Sequence, residues 1–230
     1  MPDRSSSARA TARGVSLVIN VVLFTPRGSE LAVLLVPSSS ARGRTRDRAT
    51  PPSDSLRGDE SLDQAASRIA RDALGIAPSF LHQVAADGSA ARPQDHPQIT
   101  ITYFGLVPDA GTSRTTAQWA GLSELGALSA RQRQQVDAAV TAMRAQVDQQ
   151  PIAFRLVSTT FTLSELQGVY ELLLGRRLHK ASFRRSLHAS ALVEATDEWR
   201  GEGRGRPAQL FRYAPPRRRR PRRGIRFDLL

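Results

Sequence analysis

The chain has 230 residues, no cysteine and a formal net charge of +12. That length suits one large domain or two modest ones, and the missing thiols exclude disulfides, thiolate metal sites and cysteine nucleophiles, in keeping with a cytoplasmic setting. The charge is one-sided: residues 1–150 hold 16 Arg and no Lys against 14 acidic residues, whereas residues 151–230 hold 17 basic against 7 acidic, which points the last third towards a polyanion.

Residues 1–13 are small and polar and are expected to be disordered. The run VSLVINVVLF that follows has the look of a signal peptide. However, Asn20 interrupts it, no small-residue cleavage site follows, and a second run, LAVLLV, comes directly after Thr25-Pro26-Arg27-Gly28. A β-hairpin over roughly 15–24 and 31–36 is therefore predicted, and no run is long enough to span a membrane. Residues 37–59 are rich in Ser, Arg and Pro and read as a long loop. A helix is predicted over 61–74, with Leu62, Ala65, Ala66, Ile69, Ala70, Ala73 and Leu74 on one stripe and Gly75 closing it. Residues 76–97 read as loop with at most one short strand, 98–107 (QITITYFGLV) as a strand, Trp119 as part of a loop, and 129–147 as a helix. Together these make one α/β domain over 14–150.

A second unit is predicted over 151–214 and a basic Arg/Pro-rich tail over 215–230. FTLSELQGVYELLLG has Thr162 and Glu165 at capping-box spacing and ends on Gly175. HKASFRRSLHASAL reads as a second helix, with Phe183 and Leu187 inward and Lys180, Ser182, Arg184 and Arg185 mostly outward. Two short strands, LVEAT and AQLFRY, follow on either side of a loop rich in Gly and Arg. Helix, turn, basic helix and hairpin give the outline of a winged helix-turn-helix.

Three motifs carry the chemistry. Lys180, Ser182, Arg184 and Arg185 are the short polar and cationic side chains that reach base edges and phosphates from a helix in the major groove; a solvated charged face is the plainer reading. Arg204-Gly205-Arg206-Pro207 is a narrow cationic strip of the kind that lies in an A·T-rich minor groove; the plainer reading is a surface turn. The helix at 61–74 sits at the spacing of a Nudix box. In that box, clustered carboxylates hold a divalent ion and activate water against a nucleoside diphosphate. Glu60 and Arg68 are in register, as are Ala70, Gly75 and Ile76. Asp54 replaces the first glycine, Ile69 and Ala73 replace two of the carboxylates, and Asp72 replaces a third. Neither catalytic residues nor a metal is therefore expected. An ordinary amphipathic helix fits this stretch equally well.

Taken as a whole, PIAFRLVSTTFTLSELQGVYELLLGRRLHKASFRRSL and GRGRPAQLFRY closely resemble the C-terminal domain of the Nudix-related transcriptional regulators of NAD metabolism, the NrtR type. The hairpin, DESL at 59–62, the degenerate box and ITYFGLV resemble the N-terminal part more weakly. The resemblance implies a Nudix-like α/β domain with a mixed sheet between helices, followed by a winged helix-turn-helix. It implies a homodimer on a palindromic double-stranded DNA operator, repressing genes of NAD biosynthesis or salvage. It implies ADP-ribose or a related nucleotide as effector and no cofactor. Lys180, Ser182, Arg184 and Arg185 would fall on the recognition helix, Arg204 and Arg206 on the wing. Glu60, Arg68, Asp72 and Tyr103 are the candidates for the effector pocket. One departure bears on that pocket: Pro52-Ser53-Asp54-Ser55 stands where members often keep Pro-Gly-Gly-Phe, so the glycines that let backbone approach a phosphate are gone. Two alternatives stay open: a Nudix hydrolase with an appended basic domain, and a nonspecific architectural nucleic-acid binder.

Overall fold

The structure is a computed structural model that describes residues 15–37, 49–89, 97–108, 117–126, 128–201 and 207–214. β1 (Ser16–Arg27) and β2 (Glu30–Pro37) form the predicted hairpin. It turns at Gly28, whose φ of 60° suits a residue without Cβ. Both strands outrun their apolar stretches, and Pro26 pairs with Leu31 instead of sitting in the turn. Two short strands, β3 (Ala49–Thr50) and β4 (Ser53–Ser55), lie within what the sequence reads as loop. β4 pairs with β1 and sets Asp54 opposite Ile19.

α1 (Leu62–Leu74) starts where predicted. The Ser61 hydroxyl accepts from the Gln64 amide at 3.2 Å, and the Gln64 side chain accepts from the Ser61 amide at 2.7 Å, a reciprocal cap on two otherwise unpaired donors. Gly75 ends the helix at φ 77°. The chain then departs from expectation. β5 (Phe80–Ser89) is a ten-residue strand, although its second half, AADGS, has low strand propensity. Pairing along β6 (Gln98–Leu106) overrides that propensity, with a bulge between Gln83 and Ala85. Trp119 likewise lies in a strand, β7 (Gln118–Gly121), which pairs with β2. α2 (Ala130–Gln149) completes the first unit.

The sheet runs β3-β2-β1-β6-β5, with β1 and β6 parallel and the other pairs antiparallel. Ile19, Val21 and Leu23 alternate with Val22 and Phe24 along β1, and all five are fully buried. A strand buried on both faces needs a cover on each. α1 covers one face with Ala65, Ala66, Ile69 and Ala73. α2 covers the other with Val136, Ala139, Met143 and Val147. Asn20 points to the α2 face and donates to the Gln135 side chain at 3.2 Å, which satisfies a buried amide inside an apolar run. The result is a mixed sheet between helices.

A short 3-10 segment (Ile152–Arg155) leads into β8 (Thr160–Phe161), α3 (Leu163–Leu174), α4 (Lys180–Ser190), β9 (Val193–Arg200) and β10 (Ala208–Tyr213). The three strands order β8-β10-β9. Phe161, Leu166, Tyr170, Leu173, Phe183 and Leu187 fill the space between them and the helices. This apolar core continues without a break into the α2 side of the first unit. The second unit is thus packed on the first and not tethered to it by a bare linker. Among the described residues, no helix is long and apolar enough to cross a membrane.

Candidate functional site

The first candidate region lies at the start of α1. Arg68 gathers the loop before the helix. It donates to both Glu60 oxygens, at 3.0 and 2.7 Å, to the Asp54 carboxylate at 2.7 Å and to the Ser55 carbonyl at 3.2 Å. The Arg68 and Glu60 side chains are 15% and 13% exposed, so water competes little for the two-pronged bond. The Arg68 hydrogen bonds hold the Glu60 carboxyl down to about 2, and its partners raise the Arg68 guanidinium further above its usual range. Burial pulls the Asp54 carboxyl upward, but Arg68, the Ser55 amide and Arg57 together lower it overall. Asp54 stands where the Nudix pattern has glycine. The replacement adds a third arm to a clamp, a role that the spacing in the sequence does not disclose.

The clamp bears on metal binding. Ile69 and Ala73, at two of the carboxylate positions, face the core at 4% and 8% exposure. Among the described residues, no three carboxylate or imidazole groups stand close enough to share a metal ion. The residues present do not fit the divalent ion that a working Nudix box requires.

A shallow polar cleft of about 680 Å³ remains beside the clamp, lined in part by Arg57, Glu60, Asp63, Ser67 and Arg71. Of the four effector candidates, Glu60 lines it and Arg68 braces it from behind. Tyr103 is buried beneath the sheet surface, donating to Asp63 at 2.7 Å. Burial, and then the Asp63 carboxylate, raise the Tyr103 hydroxyl above its usual range. Asp72 does not join them: it is exposed on α1 and is not part of the cleft lining. The cleft's cations are Arg57 and Arg71. Sequence reasoning missed both, although Arg71 sits four residues after Ser67, one helical turn along the same face.

The clamp has a pH signature. Glu60 has its folded pKa depressed, so its contribution to stability is fully present above the ordinary value near 4.5 and is lost as pH falls towards 2. Glu60→Gln is therefore expected to narrow the stability gap to the native chain between pH 5 and about 2. Urea melts at stepped pH check this; a gap that stays constant over that range contradicts the clamp.

The second candidate region is the basic helix. Lys180, Arg184 and Arg185 are exposed on α4, while Phe183 and Leu187 are buried. Ser182 is half-buried, with its Oγ 3.4 Å from the His179 ring. No side chain caps the N-terminus of α4. Its free amides and the cation at Lys180 repel one another across the helix dipole, a conflict that a phosphate would relieve. The turn that aims α4 is held by Glu171. It accepts from the Leu178 amide at 2.9 Å, from Gln167 at 2.9 Å and from Arg177 at 3.0 Å. Burial pulls the Glu171 carboxyl upward, yet these three donors lower it overall. Gln167 also donates to the Leu178 carbonyl at 3.0 Å. Neither Glu171 nor Gln167 stands out in the sequence, since each reads as a polar position on an amphipathic helix.

The hairpin strand β9 is tied to α3. Arg200 on β9 donates to Glu165 at 2.6 Å, and the other oxygen of Glu165 accepts from the Thr162 amide at 2.7 Å in the predicted cap. Arg204 and Arg206 lie outside the described residues. Trp199 is 54% exposed beside the wing loop.

Residues 153–213 match the model of the NrtR DNA-binding winged helix domain. The ADPR responsive transcriptional repressor NtrR of Acinetobacter baylyi is 27% identical over 205 residues, spanning 86% of this chain and 82% of that protein. Shewanella oneidensis NrtR in complex with a 27mer DNA superposes at a TM-score of 0.74 with 28% identity, over 86% of this chain and 93% of that one. A MutT/nudix family protein from Enterococcus faecalis superposes at 0.67 with 16% identity, over 89% of this chain and 90% of that one; at that identity the likeness is one of fold. Residues 153–213 thus form a winged helix domain of the NrtR DNA-binding type, and the chain as a whole is similar in sequence and fold to NrtR-type regulators.

Proposed function

We propose that the chain is a cytoplasmic transcriptional repressor that binds a palindromic DNA operator as a homodimer. Its targets are genes of NAD biosynthesis or salvage. ADP-ribose or a related nucleotide in the Nudix-like domain releases it from DNA, and the nucleotide is not hydrolysed. The observation that carries this reading is the winged helix at 153–213, which presents Lys180, Arg184 and Arg185 from a helix of the matched DNA-binding type. The Shewanella relative's complex with DNA and the Acinetobacter relative's description as ADPR-responsive support the two ligand classes. A two-fold operator mirrors a two-fold protein, one recognition helix per half-site. The absence of hydrolysis follows from the Arg68 clamp, which commits Glu60, and from the apolar side chains at 69 and 73.

A mobility-shift titration against a palindrome upstream of NAD genes, at physiological salt, tests the first part. Retardation of that duplex with random duplex left free is expected; equal retardation of both would sink specific repression. Incubation with ADP-ribose and Mg²⁺ or Mn²⁺ tests the last part. No AMP is expected, and steady turnover lost in Glu60→Gln would make the chain a hydrolase.

A further inference from the structure

A second cleft lies where the two units meet. It measures about 470 Å³, within the range of small-molecule sites, which favour such junctions. The sensor domain contributes Glu30, from the start of β2, and Arg144, from α2. The helix-turn-helix contributes Glu171, Gly175, Arg176 and Arg177, which belong to the end of α3 and the turn into α4.

The charges are unequally committed. Arg177 is paired with Glu171, which is already saturated by Leu178 and Gln167. Arg144 and Arg176 have no carboxylate partner among the described residues. The Arg144 guanidinium lies against the open face of Gly175, where a Cβ would collide with it. Gly175 is also held at φ 68° by the helix end. The left-handed backbone favours glycine there, and the absent Cβ leaves room for the guanidinium. Also in the lining, the Glu30 carboxylate packs on Gly121 in the same way and accepts from the Ser123 hydroxyl at 3.1 Å. It has no cation within salt-bridge reach among the described residues. The cleft therefore offers two uncommitted guanidinium groups and, in the same lining, a carboxylate with spare acceptor capacity.

We propose that this junction is a binding site for a phosphorylated sugar, with the phosphate on Arg144 and Arg176 and a sugar hydroxyl donating to Glu30. Guanidinium groups match phosphate oxygens in pairs, and a carboxylate is the strong acceptor that hydroxyls seek. The site is separate from the α1 cleft. Its ligand would touch both the sensor and the turn that aims α4, so occupancy would set the angle between them. That regulatory consequence, unlike the binding itself, rests on the DNA-binding reading.

The test uses the full chain and ribose 5-phosphate, with inorganic phosphate as the comparison, by calorimetry at physiological salt without DNA. Saturable binding at one site per chain is expected, tighter for ribose 5-phosphate than for phosphate. Arg176→Gln, in an exposed turn, and Arg144→Gln should each weaken it at least tenfold, with unchanged thermal melts in the absence of ligand. Glu30→Gln should reduce the advantage of the sugar over phosphate. Arg133→Gln, exposed on α2 away from the cleft, should change nothing. No binding, or binding lost through Arg71→Gln and kept in Arg144→Gln and Arg176→Gln, would overturn the assignment. Repeating the titration with operator bound then reads the coupling: a site linked to DNA binding shifts its affinity, and an equal affinity would confine the proposal to binding alone.

Discussion

Replacing Arg184 and Arg185 together by alanine is expected to weaken operator binding by about a hundredfold or more and to leave the thermal melt unchanged. Each good contact to a base edge is worth roughly 1–3 kcal/mol of discrimination, and both side chains are exposed on α4, outside the core. Salt dependence separates their roles. If they meet phosphates, affinity falls on every sequence and the slope of log K against log salt drops by roughly 0.9 for each lost contact. If they meet bases, affinity for the operator falls towards that for random duplex while the slope changes little. Fluorescence anisotropy at three salt concentrations distinguishes the two. Undiminished operator affinity in the double variant would remove α4 from the interface.

Phe183→Ala, one residue away, should act through the fold instead. Phe183 is 1% exposed, and its ring centroid lies 5.7 Å from that of Tyr170 on α3. Truncating a buried Phe costs about 3–5 kcal/mol, a large share of the roughly 5–15 kcal/mol that a domain possesses. α4 would lose the side chain that seats it, and DNA binding should fail together with stability. The core runs unbroken from the winged unit into the α2 layer, so the damage should not stay local. Urea unfolding followed by tryptophan fluorescence, with Trp119 in the sensor sheet and Trp199 beside the wing, should show a single transition at a lower midpoint with an unchanged slope. Two separated transitions would mean that the units fold independently.

What the sequence makes legible is local. Thr162 and Glu165, Gly75 and Gly175 act within one turn of the chain, and the structure has each cap in place. The basic helix and its buried Phe183 and Leu187 follow from a single helical period. The edge strands β5 and β7 escape such reasoning because their stability comes from partners far along the chain, on β6 and β2. The clamp escapes it for the same reason. Asp54 lies 14 residues from Arg68, and only the pairing of β4 with β1 brings it near. Seen in sequence, Asp54 stands where the Nudix pattern has glycine; seen in the fold, it is an acceptor that helps Arg68 hold the loop before α1. The junction cleft depends on how two units pack, which no periodicity records. The box helix keeps its caps and apolar stripe, while two of its carboxylate positions have become core.

Under the proposed function, one chain couples a nucleotide in the Nudix-like domain to DNA under α4. Titrating labelled operator duplex and a scrambled duplex with the full chain, with and without ADP-ribose, tests it directly. The operator is expected to bind on the order of a thousandfold or more tighter than the scrambled duplex. ADP-ribose should weaken the operator complex, and operator should weaken ADP-ribose binding by the same factor. Equal affinity for both duplexes, or an operator affinity indifferent to saturating ADP-ribose, would contradict the account.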